Sequence, residues 1–187
     1  KIMPSDLQVT NIKANDGTAG LVIADSTGNV SLSGSLSATS SIIRPAFLVQ
    51  AQAMSNTSVD TYVDVQYFTV IKNEGGGTYN TGTYTYTAPV SGLYYISASV
   101  FYDDFPNNVT DFRVNIVTSN RTYEMRYAKF INAEHSSNYS GTFRNSTLAD
   151  LDANDTVKIQ TYQNAGSAAA DLTNTHSYFS GFLVCNY

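Results

Sequence analysis

The chain has 187 residues, of which only 13% are charged, and it carries 14 tyrosines, nine phenylalanines, no tryptophan and a formal net charge of −5. This length supports one sizeable core, or one domain with a smaller appendage. The chain is acidic and lacks the clustered lysine and arginine residues that bind phosphate backbones, so nucleic acid is not an expected partner. No run approaches the roughly 18 apolar residues of a membrane span, so membrane insertion is not expected either.

Residues 1–45 form the first segment, in which short apolar pieces alternate with period two around turn signals such as Asp16-Gly17. The segment has too few large side chains to bury a core of its own. We therefore expect a β-rich stem whose apolar residues are buried between chains, with a flexible tether as the alternative. The sparse Gly/Ser/Thr-rich composition resembles the intertwined stems that precede the tips of bacteriophage tail fibres.

After Pro45 the strand candidates are spaced as in an antiparallel sandwich, with no convincing amphipathic helix. The expected core includes four side chains at strand spacing, which are Phe112, Val114, Ile116 and Phe143. The predicted strands are Ala46–Gln52, Tyr62–Ile71, Thr78–Thr87, Leu93–Tyr102, Asp111–Thr118, Tyr123–Ile131, Tyr139–Leu151, Thr156–Tyr162 and Ser177–Val184.

The most informative stretch is Thr83–Tyr102, where alternating tyrosines and threonines precede a turn at Pro89–Gly92. Proline presets φ for a turn, and β-branched and aromatic residues suit a pleated surface. The pattern predicts a hairpin whose second strand lies in the centre of a sheet.

These residues also carry a resemblance to a known family. The motif residues are Gly82, Tyr84, Ala88-Pro89, Gly92-Leu93-Tyr94-Tyr95 and Phe179-Ser180-Gly181-Phe182-Leu183. In spacing they resemble the globular head of complement C1q. The resemblance implies an all-β fold, a tumour-necrosis-factor-like jelly-roll sandwich of about ten antiparallel strands, spanning residues 46–187. It also implies a homotrimeric recognition module rather than an enzyme.

Two departures from the family pattern are visible. Asn154 stands where the family has the glycine of a Gly-Asp turn, and asparagine tolerates the left-handed conformation. The collagen repeat that precedes many animal members is absent before Ala46. This absence favours another kind of trimeric fibre.

Residues capable of catalysis are sparse. His135 and His176 lie far apart without a recognisable nucleophile motif. The acidic run Asp150–Asp155 lacks the glycine and terminal glutamate of a calcium loop, so an Asx-stabilised turn is expected there. Cys185, the single cysteine, is expected to be buried in the last strand. No catalytic residue is predicted.

Strand alternation predicts which loops share an end of the sandwich. The turns at Pro89–Gly92, Ser119–Arg121 and Asp152–Asp155 are expected to face the stem. The loops Asp103–Val109, Asn132–Asn138 and Gln163–Thr175 are expected at the opposite, distal end, and we predict that they bind the receptor. The predicted contact residues are Asp103, Asp104, Phe105, Asn107, Asn108, Glu134, His135, Asn138 and Asp171.

The same end suggests a cation site. Three copies around an axis would gather Asp103, Asp104 and Glu134, and clustered carboxylates either stay solvated or recruit a cation. The resemblance adds that some family members bind calcium near this end. Calcium is therefore the one candidate cofactor.

Together these observations predict the homotrimeric tip domain of a bacteriophage tail fibre or related virion appendage, which binds a carbohydrate or protein receptor on the host surface. The alternatives are a secreted or cell-surface C1q-like recognition protein of a cellular organism, and a structural head-fibre or decoration protein of a virion. The expected location is accordingly the virion or the extracellular space.

Overall fold

A computed structural model of the chain describes residues 44–105, 109–128, 139–164 and 170–187. These residues form strands connected by turns, without a helix in the described ranges. The strands are β1 (Ala46–Ala51), β2 (Tyr62–Asp64), β3 (Tyr67–Glu74), β4 (Thr78–Asn80), β5 (Thr85–Thr87), β6 (Gly92–Phe105), β7 (Asp111–Thr118), β8 (Thr122–Ala128), β9 (Tyr139–Leu151), β10 (Thr156–Gln163) and β11 (Asp171–Asn186).

The strands make two sheets. The first sheet has the order β3-β1-β11-β6-β9, and the second sheet has the order β4-β5-β10-β7-β8 with β2 also paired to β10. All recorded pairings within the two sheets are antiparallel. The prediction of an all-β jelly-roll sandwich is confirmed. The stem of residues 1–45 falls outside the described residues up to Ile43, so the domain boundary stays a prediction.

The core between the sheets is rich in stacked and edge-on aromatic rings. Phe47 stacks on Tyr86 at 4.1 Å between centroids and meets Phe179 edge-on at 4.7 Å. A second group around Phe112 includes Phe143, whose ring centroid lies 4.4 Å away. The four predicted core residues are at most 5% exposed, which confirms that expectation.

Two predicted strands are divided differently from expectation. The run Tyr62–Ile71 splits into β2 and β3, which belong to different sheets, because the chain crosses between the layers at the buried Val65. The run Thr78–Thr87 is itself a hairpin of β4 and β5. Its turn is made by the Asn80 side chain, whose Oδ1 accepts hydrogen bonds from the backbone N–H of Gly82 (2.8 Å) and Thr83 (3.2 Å).

The predicted hairpin of Thr83–Tyr102 is therefore wrong, although its second strand is placed correctly. β6 lies between β11 and β9 in the interior of the first sheet, while β5 pairs with β4 and β10 in the second. Ala88 fixes the crossover because it exchanges backbone hydrogen bonds of 2.8 Å with Asn154 and Asp155. Gly92 then passes so close to β11 that an added Cβ would lie 2.4 Å from the Cys185 carbonyl oxygen.

Cys185 is exposed, contrary to the expectation of burial. β11 shifts register against β6 between Leu183 and Cys185. Because a bulge changes which face the following residues occupy, Leu183 is buried and Cys185 is turned outward.

Candidate functional site

One end of the sandwich collects the turns at Pro89–Gly92, Ser119–Arg121 and Asp152–Asp155. Ser119 Oγ donates a 2.6 Å hydrogen bond to Asp155, and the Ala153 N–H donates to Ser91 Oγ at 3.0 Å. The Ser119 bond is the main reason that the pKa of Asp155 lies below its ordinary value. Arg44 and Tyr187 lie at the same end. The Arg44 guanidinium donates a hydrogen bond to the Val184 carbonyl oxygen, and the Tyr187 hydroxyl donates one to Asp150. The predicted grouping of these turns is therefore observed.

The opposite end brings three of the predicted contact residues to the surface. Asp103 and Asp104 are exposed near the end of β6, and Asp171 at the start of β11 pairs in register with Asp103. Ser140 Oγ donates a hydrogen bond to Asp103, and the Asn56 N–H donates to Asp171 at 2.7 Å. The remaining predicted polar contact residues lie outside the described residues; they are Asn107, Asn108, Glu134, His135 and Asn138.

Phe105 was predicted to contact a receptor, but it is fully buried. Its ring lies 5.1 Å from that of Phe112 and 5.3 Å from that of Phe143. The cause is a register shift between Tyr102 and Phe105, which places one extra residue in β6. The bulge exposes both aspartates and returns Phe105 to the core, with Asp104 at a positive φ of 58°. Phe105 is thus a core residue.

The predicted loop Gln163–Thr175 is also shorter than expected. Gln163 is only 3% exposed, and β11 already begins at Asp171. A segment that the sequence reasoning missed lies beside this strand instead, since the Thr57 N–H donates to Ala170 at 3.1 Å and Met54 bridges to Leu172. The polar run Ser55-Asn56-Thr57 is a turn signal that could have identified it.

The calcium hypothesis stays a prediction. Asp103 Oδ1 already accepts from Ser140 and from the Asp104 N–H, the latter at 3.1 Å. Within the four described ranges, no group of three His, Cys, Asp or Glu residues is arranged to hold a metal. Glu134, the third proposed ligand, lies outside those ranges.

The outer face of the first sheet carries a cluster of partly exposed apolar side chains. Tyr95 on β6 lies in register with Phe182 on β11 and with Leu148 on β9, and its ring centroid is 5.5 Å from that of Phe182. Leu148 is 52% exposed and Phe182 48% exposed. We call Tyr95, Leu148 and Phe182, together with Tyr178 on β11, the apolar face. Such clusters on sheet surfaces commonly mark contact with another chain.

The outer face of the second sheet is polar by contrast. Asp111 receives hydrogen bonds from Arg113 at 2.7 Å and from Arg126 at 2.9 Å. The bond from Arg113 is the largest cause that lowers the pKa of this carboxyl group. The Arg113 guanidinium also lies 5.1 Å from the centre of the Tyr162 ring. These contacts fix β7, β8 and β10 to one another.

Comparison with known proteins identifies related folds. The chain superposes on the globular domain of zebrafish complement 1qA protein with a TM-score of 0.54 and 17% identity, covering 77% of this chain and 100% of that one. For murine APRIL at pH 8.0 the TM-score is 0.52, with 12% identity and coverage of 76% and 99%. For Eiger TNF from S. frugiperda it is 0.53, with 14% identity and coverage of 77% and 96%.

No curated protein matches the chain. Among the described residues, no helix is long and apolar enough to cross a membrane. The model of the C1q domain family matches residues 46–184, which include every strand of both sheets except the last two residues of β11. The chain therefore belongs to the C1q domain family.

Proposed function

We propose that this chain is a homotrimeric, non-enzymatic recognition domain. C1q and tumour-necrosis-factor-like domains are recognition modules that form homotrimers and bind receptors or other ligands. The observation that carries the proposal here is the apolar face, because three sheets packed around an axis would remove Tyr95, Leu148 and Phe182 from water. Three copies also let weak single-site contacts add up through effective concentration.

A charged substitution in the apolar face tests the proposed trimer. Light scattering on the full chain at micromolar concentration should give three times the monomer mass, and Phe182→Asp should shift the chain toward monomer. A carboxylate placed among the apolar side chains of an interface loses its hydration, and we expect the assembly to weaken by more than about 100-fold. Tyr62→Asp is the matched control, because Tyr62 is 44% exposed on the second sheet. A wild-type chain that is monomeric would contradict the proposal.

We further propose that the receptor is bound at the end of the sandwich opposite Arg44 and Tyr187. The exposed Asp103 and Asp104 and the partly buried Asp171 belong to this surface. The sequence-based prediction adds Asn107, Asn108, Glu134, His135 and Asn138, which lie outside the described residues. Support comes from the location of this end, away from the apolar face, and from loops rich in hydrogen-bonding side chains. If calcium binds between chains, it would do so here.

The biological setting we favour is the tip of a bacteriophage tail fibre, on the virion, with a host-surface receptor. That part of the proposal is supported by the composition of residues 1–45, which resembles a fibre stem and has no collagen repeat. A secreted or cell-surface recognition protein of a cellular organism is equally consistent with a C1q domain.

A charge reversal at the receptor-binding end tests both the proposed receptor surface and the proposed bacteriophage tail-fibre setting. The charge-reversing double variant Asp103→Lys/Asp171→Lys should reduce cell binding at least about tenfold, because two contacts become repulsive or are lost. Binding of the labelled full chain is measured on panels of bacterial and animal cells, with Asp150→Lys/Asp152→Lys at the other end as the control. Unchanged binding by the first variant would place the receptor site elsewhere. Binding only to animal cells would contradict the tail-fibre setting.

A further inference from the structure

An open trough of about 660 Å³ lies on the outer face of the second sheet. β10 forms its floor, with Thr156 and Lys158 directed outward while Val157 and Ile159 between them are buried in the core. β2 contributes Asp64, and the β4–β5 turn contributes Thr83 and Tyr84. The volume falls within the roughly 300–1,000 Å³ typical of ligand sites. The trough is separate from the proposed receptor-binding end and from the apolar face.

The charged groups of the trough neutralise each other. Lys158 Nζ lies 2.9 Å from Asp64 Oδ2, and Gln160 donates to Asp64 Oδ1 at 2.8 Å. These bonds hold the carboxylate and the ammonium group in place before any ligand arrives. Because the pair carries no net charge, the trough favours neither an anion nor a cation. It offers a fixed acceptor beside a fixed donor.

Hydroxyl groups supply the rest of the polar lining. In the part of the chain that the structure describes, no internal hydrogen bond uses the hydroxyls of Thr83 or Thr156, whereas Thr118 and Ser119 are bonded to neighbouring groups. A hydroxyl both donates and accepts, as do the hydroxyls of a sugar. The lining is thus suited to a ligand that presents many hydroxyl groups and no charge.

Tyr84, one of the residues that line the trough, has an unusual backbone conformation. Its φ is +55°, a region of backbone conformation that a bulky side chain seldom occupies. The Asn80 side chain pins the turn just before it through the Gly82 and Thr83 N–H groups. An aromatic side chain in the lining provides an apolar surface for the C–H face of a sugar. Strain of this kind is concentrated at binding sites.

We propose that this trough binds a neutral saccharide. A peptide would instead seek a sheet edge, where backbone groups are available for strand addition. The trough lies on the face of the sheet, across β10, which is hydrogen-bonded on both sides to β7 and to β2 and β5. Side chains rather than the backbone therefore make the contacts. The site would act in addition to receptor binding at the end of the sandwich.

The test measures binding of the full chain to an array of neutral oligosaccharides built from glucose, galactose, mannose and N-acetylglucosamine. Calorimetry then measures the affinity for each sugar that the chain binds. The wild-type chain should bind at least one of these oligosaccharides. Tyr84→Gly removes the ring while suiting the positive φ, and it should weaken binding at least about tenfold. The paired change Asp64→Asn/Lys158→Gln should weaken it by a similar factor.

Tyr62→Ala is the matched control, because Tyr62 is an exposed tyrosine of the same sheet outside the trough lining, and it should bind as wild type. The inference is overturned if the wild-type chain binds no sugar on the array. It is also overturned if folded Tyr84→Gly binds the sugar as tightly as the wild-type chain does. Loss of sugar binding only in Asp103→Lys/Asp171→Lys would also overturn it, while supporting the receptor-binding end. The saccharide site in the trough and the receptor site at the end of the sandwich can therefore be refuted independently.

Discussion

Phe112→Ala is expected to lower the free energy of unfolding by about 3–5 kcal/mol, the cost of removing a large aromatic ring from a packed core. Phe112 is 1% exposed on β7 of the second sheet. Its ring lies 5.3 Å from Tyr102 and 4.4 Å from Phe143, which belong to the first sheet. The substitution therefore leaves a cavity between the layers. Urea unfolding followed by circular dichroism measures the loss.

Phe68→Ala is the matched control for this prediction. Phe68 is 53% exposed on the edge strand β3, so its removal should cost less than about 1 kcal/mol. A loss for Phe112→Ala no larger than that for Phe68→Ala would mean that the cluster around Phe112 does not join the sheets.

Alkaline pH is expected to destabilise the domain strongly. Burial raises the pKa of Tyr102 from 10.0 to about 12, and the hydrogen bond with Thr161 offsets part of that rise. Burial likewise raises the pKa of Tyr67, Tyr79 and Tyr86. Between pH 10 and 12 the unfolded chain therefore binds fewer protons than the folded chain, so stability falls as pH rises. For Tyr102 alone the loss approaches about 3 kcal/mol above pH 12.

The measurement is the free energy of unfolding from pH 8 to pH 12. Tyr102→Phe is the informative variant, because it lacks the titrating hydroxyl but keeps the ring. It should be less stable by about 1 kcal/mol near neutral pH, where the Thr161 bond is lost, yet its stability should fall less steeply above pH 10. An identical slope in both chains would show that Tyr102 does not contribute to alkaline unfolding.

Much of the fold was predictable because strand alternation is a local property. Val114 and Ile116 on β7 follow period two, so their burial can be read without knowing their partners. The motif around Gly92 and the closing strand carried the family resemblance, which the match over residues 46–184 confirms. Antiparallel order also predicted correctly that the turns at Ser119–Arg121 and Asp152–Asp155 meet.

The errors arose where a bulge or a crossover interrupts alternation. Phe105 and Cys185 each follow a register shift, and both lie on the opposite side from that expected. The register of a pair depends on the partner strand, which a single run of residues does not specify. The division of Tyr62–Ile71 between two sheets likewise depends on β1 and β10, strands that are distant in sequence.

By itself, therefore, the sequence determined the all-β class, the family and the inward or outward direction of most strand residues, since these follow from composition and local periodicity. Only the tertiary structure decided which residues share a surface. Asp64, Tyr84 and Lys158 line one trough although more than 70 positions separate Tyr84 from Lys158. Their approach requires β2 and β5 to pair with the same strand, β10, and that pairing is a non-local consequence of packing the two sheets.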